Sequence, residues 1–445
     1  MTADPTRAWR RELLDPAYAL FLLTVFVSMV RAPDQPSADV SVGGTVVSLT
    51  PTDVLLVALL GVVVARVVRA GGVRSLPSQS VPLLLAGLTF GSWLAVSALA
   101  NGSTAVVSAG KLVELGILMV AAVVLLDRVE RLPGLIAALV TMTVAAAAFG
   151  LLEFARDPGA RQSSFLGEHD FATLSTVALA VGLIALTTGP GHLGRLPLVA
   201  GVAGAIGITL GASFASLVGL YLAAGALLVV AYARRSLRLR AAALTLLTCA
   251  AITACTLVLR SDNLGFLHQW FGDDETAEPG TYAGSWSARL IYAYIGGRIF
   301  IDRPVAGTGW WGELPPEEYV EYLPDARERF SDQPPHYFPP EDGTFIPQQT
   351  YDQVLFELGL VGAALLVALA AVATRLALRV ARRWPHGRDG EYAGYLPVTW
   401  LLAIGGALAG TALFGGSPLA ALFWLILGVV GAGGRLLAAE DAARR

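Results

Sequence analysis

Charge is scarce in this chain. Of 445 residues, 15% are Asp, Glu, Lys or Arg, where a soluble domain carries about 25%. A fold so poor in charge has to turn apolar surface outward, which excludes an ordinary soluble globule. Lysine is nearly absent: Lys111 is the only one, and every other basic residue except histidine is arginine. Cysteine is limited to Cys249 and Cys255. Both fall in one apolar run, at a spacing that turns them to different helix faces, so no mutual disulfide is expected. There is no Cys/His ligand spacing, and no basic cluster interleaved with aromatics outside the inner connections. Neither a cofactor or metal nor a nucleic-acid partner is therefore expected. Short alternating segments are missing too, which excludes a β-barrel.

What the chain has is apolar length. Hydrophobic residues make up 55%, mean hydropathy is +0.63, and apolar runs of membrane length recur from Ala17 to Gly434. The predicted fold class is all-α: a polytopic membrane protein of about twelve transmembrane helices. Arg7, Arg10 and Arg11 precede the first run, and no small-residue cleavage site follows it. That run is expected to remain as an anchor.

Arginine sets the expected orientation. With the N-terminus inside, the inner connections hold Arg66, Arg69 and Arg74, then Arg128 and Arg131, then the cluster Arg234 to Arg240, then Arg375 to Arg388. Both termini are accordingly expected in the cytoplasm, in a multi-pass protein of the cytoplasmic (inner) membrane. The expected division is a transmembrane bundle over 1–259, an extracytoplasmic loop domain over 260–350, and transmembrane helices with a cytoplasmic tail over 351–445. A polar segment this long between two spans is a place to look for function.

Two outer segments break the charge rule. They hold Arg156, Arg161, Arg260, Arg289, Arg298, Arg303, Arg327 and Arg329. Either these cations pair with the carboxylates of the loop, or they hold an anion such as a pyrophosphate, to which the guanidinium fork is suited. Lys111 and Glu114, one turn apart in an apolar run, are expected to neutralise each other or to be functional.

Within the loop, Ser285–Phe300 reads as a helix stopped by Asp302-Arg303-Pro304. A Gly307-Thr-Gly309 turn follows, then Trp310 and Trp311, which suit either sugar stacking or anchoring at the headgroup level. Pro315 to Asp342 mixes carboxylates and aromatics, as a polyhydroxylated partner or a solvated cap would require. His336 is the only histidine between Phe271 and Val380. Asp273-Asp274-Glu275 reads as an acidic surface run.

Three stretches, in this order, resemble motifs of the O-antigen ligase / O-antigen polymerase superfamily. Arg161-Gln-Ser-Ser-Phe165 running to Asp170-Phe-Ala172 is similar to its first element. Arg289 through Asp302-Arg303-Pro304-Val305-Ala306-Gly307-Thr308-Gly309 is similar to its second. Tyr351-Asp-Gln353-Val-Leu-Phe-Glu357-Leu-Gly359-Leu-Val-Gly362 is similar to the element that begins the span after the large outer loop.

The resemblance implies a metal-independent membrane glycosyltransferase of the GT-C type with a polyprenyl-diphosphate-linked glycan as donor. A glycan, lipid or protein would be the acceptor, and the chain would lie in membrane lipid. Arg161 and Arg289 would contact the diphosphate. Arg298, Arg303, Asp170, Trp310, Trp311, Gln348, Gln349 and Tyr351 are the further candidates for substrate binding. Gln348-Gln349 stands where the family has His-Asn, and Ser213-Phe214 where it has Ser-Arg. Neutral glutamine cannot act as a base, so His336, Glu341 and His169 are the candidates for acceptor activation. Ligase and polymerase share these motifs. A transporter and a non-catalytic assembly protein are the alternatives from other classes.

Overall fold

The computed structural model describes residues 11–42, 45–158, 161–259, 283–385 and 391–444. Arg260 and Asp273-Asp274-Glu275 lie outside the described residues.

Helices follow the apolar runs. In order they are α1 (Pro16–Ser28), α2 (Pro51–Arg69), α3 (Val81–Ala98), α4 (Gly102–Glu114), α5 (Gly116–Leu125), α6 (Leu132–Arg156), α7 (Glu168–Thr188), α8 (Leu196–Gly211), α9 (Phe214–Ala233) and α10 (Leu239–Leu259). The long loop contributes α11 (Ala283–Asp302) and α12 (Leu323–Arg329), and the chain closes with α13 (Thr350–Arg383), α14 (Tyr392–Ala407) and α15 (Pro418–Ala443). A hairpin of β1 (Ala38–Val42) and β2 (Thr45–Leu49), with Val40 opposite Val47, joins α1 to α2.

Among the described residues, eight helical segments are long and apolar enough to cross a membrane. The expectation was about twelve. Two of the expected runs are joined in the continuous segment Val81–Leu125. Three others form helices of 13, 16 and 16 residues, where a straight crossing of about 30 Å of hydrocarbon needs about 20. The architecture is that of an all-α polytopic membrane protein with additional helices outside its apolar segments.

Proline sets many of the helix starts. Pro16, Pro51, Pro133, Pro197 and Pro418 each fall in the first two positions, where the missing N–H has no helical partner to lose. α2 adds a capping box, in which Asp53 accepts from the Thr50 N–H at 2.6 Å.

α15 is almost wholly buried and forms the axis of the bundle. Buried tryptophans tie neighbours to the core without stranding their N–H groups. Trp424 donates to the Leu112 carbonyl at 2.9 Å, and Trp400 to the Val177 carbonyl at 2.9 Å. α7 and α8 approach closely because Gly204 and Gly207 leave no room for a Cβ beside Leu179 and Ser175. Small residues at such contacts are how helices gain packing in lipid, where water supplies no drive between them. Cys249 is buried and Cys255 exposed, and both are free.

The loop builds a second core of its own. Ile291, Ile295 and Ile299, spaced four apart on α11, pack with Leu314, Tyr319, Tyr322, Leu323, Phe338, Phe345 and Phe356. α11 spans Ala283–Asp302, two residues beyond the expected Ser285–Phe300 at each end, and stops before Arg303-Pro304. An isolated bridge between Leu314 and Phe345 closes the cap. Phe356 belongs to α13, so the cap core continues directly onto the bundle.

Candidate functional site

The site is built where the cap meets the ends of α7, α8, α9 and α14. α8 ends at Gly211, Ala212 follows with a left-handed φ of +45°, and α9 begins after Ser213. This tight turn presents the Gly211 carbonyl, which accepts from Arg161 Nε and Nη2, each at 3.3 Å. Arg161 Nη1 also lies 2.5 Å from Glu168 Oε2 at the start of α7. One residue on, His169 Nδ1 sits 3.2 Å from Ser213 Oγ.

Arg289 approaches the same place from α11. Its Nη2 donates to the Gly410 carbonyl at 3.4 Å, and Gly410 abuts Ala215, two residues beyond Ser213. Among the described residues this long hydrogen bond is its only polar contact, and no carboxylate pairs with it. Burial and then the charge of Arg161 hold its pKa below the usual arginine range. The two arginines thus share one electrostatic neighbourhood, in which Glu168 pairs with Arg161.

The remaining outer arginines behave differently. Arg298 lies 3.5 Å from Asp325, Arg327 2.7 Å from Glu341, and Arg303 is paired with Glu318. Arg329 stacks over Tyr294, 5.7 Å from the ring centroid. Arg298, Arg303 and Arg327 pair with carboxylates of the loop and Arg161 with Glu168, whereas Arg289 meets no carboxylate among the described residues.

The three candidate bases separate in space. His336 is exposed in the short turn Pro335–Tyr337, with its ring edge-on to Tyr337 at 4.4 Å. Glu341 is exposed and paired with Arg327. His169 alone stands beside the arginine pair. Asp170 is occupied elsewhere: its Oδ1 accepts from the Leu419 N–H at 2.9 Å and so caps the first turn of α15.

The tryptophans also divide. Trp310 is 1% exposed and belongs to the bundle core, with its Nε1 donating to Ser108 Oγ at 3.3 Å. Its ring is closed off from solvent by the bundle. Trp311 is half-buried between the two cores. Gln349 caps α13, the neighbouring Gln348 donates to the Ile346 carbonyl at 3.2 Å, and Tyr351 donates to the Gly405 carbonyl at 2.6 Å.

Several residues at this end carry a signal that the sequence reading did not use. Arg31 lies against Gly167, its Nη1 3.8 Å from where a Cβ would stand. Its position beside an outer connection, against the charge rule, is the clue that would have found it. Lys111 is paired with Asp53 at 2.5 Å more closely than with Glu114 at 3.8 Å. The neutralisation therefore runs across helices and not only along one.

Fold and site together define a polytopic helical membrane protein with a helical cap, and a pair of arginines where cap and bundle meet. Comparison with protein families identifies the class further: the family model described as O-antigen ligase matches residues 199–367. The chain carries an O-antigen ligase domain over that part and so matches the O-antigen ligase/polymerase superfamily. Among curated proteins no match was found. The matched region includes Gly211, Ser213, Arg289, the Gly307–Gly312 turn and Glu357, whereas Arg161 and His169 precede it.

Proposed function

We propose that this protein transfers a glycan from a polyprenyl diphosphate carrier to an acceptor hydroxyl at the capped face of the membrane. The observation that carries the reading is Arg289: a half-buried cation that meets no carboxylate among the described residues and has a second arginine as its electrostatic neighbour. A buried charge without a partner is costly, and Arg289, which meets no carboxylate among the described residues and has Arg161 as its electrostatic neighbour, is suited to an anion that both arginines can reach. A diphosphate has the charge and the planar oxygen pairs that guanidinium forks hold bidentately.

The chemistry follows from the charges. The acceptor hydroxyl attacks the anomeric carbon, the bond to the diphosphate oxygen breaks, and negative charge builds on the leaving group. Arg161 and Arg289 stabilise that charge from fixed positions, with no reorganisation at the moment of reaction. His169, beside the same pair and in contact with Ser213, is placed to take the acceptor proton. In this reading the cap and arginines lie on the extracytoplasmic side of a bundle of about twelve spans, with both termini cytoplasmic, which the arginine bias of the other connections supports. Ligase and polymerase differ here only in the acceptor.

The test is a reconstituted preparation supplied with a polyprenyl-diphosphate-linked oligosaccharide. Release of polyprenyl diphosphate, lost on Arg289→Ala and Arg161→Ala, is the expected result. Flux of a solute without such release would replace this reading by a transporter, and neither signal would leave an assembly protein.

A further inference from the structure

We propose that Glu357 is a positioning residue, whose carboxylate clasps the turn after α11 into a break in α13 and thereby fixes where Arg289 stands. For its effect on transfer this rests on the reading of Arg289 given above; the clasp itself does not.

α13 is interrupted. Gly359 has φ +63° and ψ −162°, outside the helical region, so the helical ladder is broken there. The freed groups are taken up by the turn. The Leu360 N–H donates to the Pro304 carbonyl at 2.8 Å and the Val361 N–H to the Val305 carbonyl at 3.2 Å, while the Thr308 N–H donates to the Phe356 carbonyl at 3.0 Å. Gly307, with φ +67°, and Gly359 leave no room for a Cβ against each other's segments. An L-residue at either position would be both strained and in collision.

Glu357 closes this joint from inside. It is completely buried, and its Oε2 accepts from the Trp311 N–H at 2.6 Å and the Gly312 N–H at 2.9 Å. A carboxylate so placed is expensive unless its bonds are needed, and two backbone donors on one oxygen fix the turn in direction as well as in distance. Asn101 holds the same turn from the other side, donating to the Thr308 and Trp310 carbonyls at 3.0 and 3.2 Å. The turn passes this order to α11 through the Gly307 N–H, which donates to the Arg303 carbonyl at 3.0 Å, and the Arg303 N–H, which donates to Ile299 at 3.0 Å.

Leverage explains why the clasp matters. Arg289 lies near the far end of α11, about 20 Å along the axis from the turn. A tilt of about 5° at the turn would carry its guanidinium roughly 2 Å from its place. Displacements of about 1 Å cost positioned catalysis about 100-fold.

The experiment uses the full chain in lipid with Cys249 and Cys255 replaced by alanine. Spin labels are attached at Leu290→Cys, exposed near the far end of α11, and at Val218→Cys on the exposed face of α9. The distance distribution between them is expected to be narrow in this parent, to shift or broaden by about 2 Å in Glu357→Ala, and to return to the parent form in Glu357→Gln, whose amide oxygen still accepts both N–H groups. Release of polyprenyl diphosphate is expected to fall about 100-fold in the alanine variant and to be rescued by glutamine. Superimposable distributions in parent and Glu357→Ala would overturn the proposal. Should Glu357→Ala not accumulate, Asn101→Ala loosens the same turn and is expected to shift the distribution the same way; no shift there would overturn it equally. A shift without loss of transfer supports the clasp and overturns instead the reading of Arg289 as donor-binding.

Discussion

The two ends of this bundle treat buried arginine in opposite ways. At one end Arg131, with its side chain 5% exposed, is met by Glu12 at 2.8 Å, Asp15 at 2.7 Å and Asp127 at 3.3 Å, and its guanidinium lies over the Tyr18 ring. Arg66 joins the same Asp15, and Arg435 lies 3.8 Å from Asp127. At the other end Arg289 has a single long bond to a carbonyl and a second arginine as its electrostatic neighbour. The first arrangement is complete within the chain and calls for nothing further. The second makes sense when an anion from outside completes it. Compensation, more than burial, is what distinguishes the two arginines.

This contrast is open to direct attack. The largest effect is expected from Arg289→Ala and Arg161→Ala, each lowering turnover in the transfer assay by about 100-fold or more, as loss of a fixed charge stabiliser does. Arg289→Lys is expected to recover only part of it, since an ammonium lacks the fork. Arg289→Ala is not expected to lower the thermal midpoint in detergent, because no carboxylate among the described residues pairs with Arg289.

Asp15→Asn should do the reverse. It strips a shared partner from Arg131 and Arg66 while Glu12 and Asp127 stay with Arg131, so a loss of about 1 kcal/mol is expected. A fall in the thermal midpoint with turnover per folded molecule retained is the expected outcome; an unchanged midpoint would erase the distinction between the two ends.

Smaller effects are expected within the cap. Arg298→Ala and Arg327→Ala remove exposed pairs worth about 0–1 kcal/mol each, and transfer should stay within a few-fold of the parent. A large loss of turnover in either would extend the anion site to them.

The smallest concerns pH. Burial, and then the hydrogen bond that Tyr322 donates to Asp302 at 2.9 Å, raise the Tyr322 pKa above its ordinary value. A group with a raised folded pKa contributes stability that is complete below the unfolded pKa of about 10 and is lost as pH rises through the folded value. Limited proteolysis of the cap should therefore accelerate above about pH 10, and Tyr322→Phe should flatten that rise.

The long loop shows how far residue pattern reaches. Apolar residues at helical spacing over Ser285–Phe300 and the stop before Pro304 gave α11, because helix periodicity and proline act locally; which face it buries came from the fold. The outer arginines were visible as exceptions to the charge rule. Which of them were exceptional in chemistry was not visible: Arg298 and Arg289 look alike along the chain, and only the fold brings Asp325 to one and Arg161 to the other. Trp310 was legible as an aromatic beside a glycine turn, but its burial against Ser108 depends on α4, about two hundred residues away in sequence. The break at Gly359 could be suspected from a glycine, but not its partner, the Pro304–Thr308 segment.

By itself the sequence determined a helical membrane protein, the place of its cap, and a short set of outer cations. Hydrophobic length and helical period are properties of neighbouring residues, so no fold is needed to read them. The tertiary structure alone decided that Arg161 and Arg289 share one place, that His169 joins them while His336 and Glu341 face solvent, and that Glu357 seals the joint beneath. Ionic partners and backbone donors from distant segments are chosen by packing, and packing is a property of the whole chain.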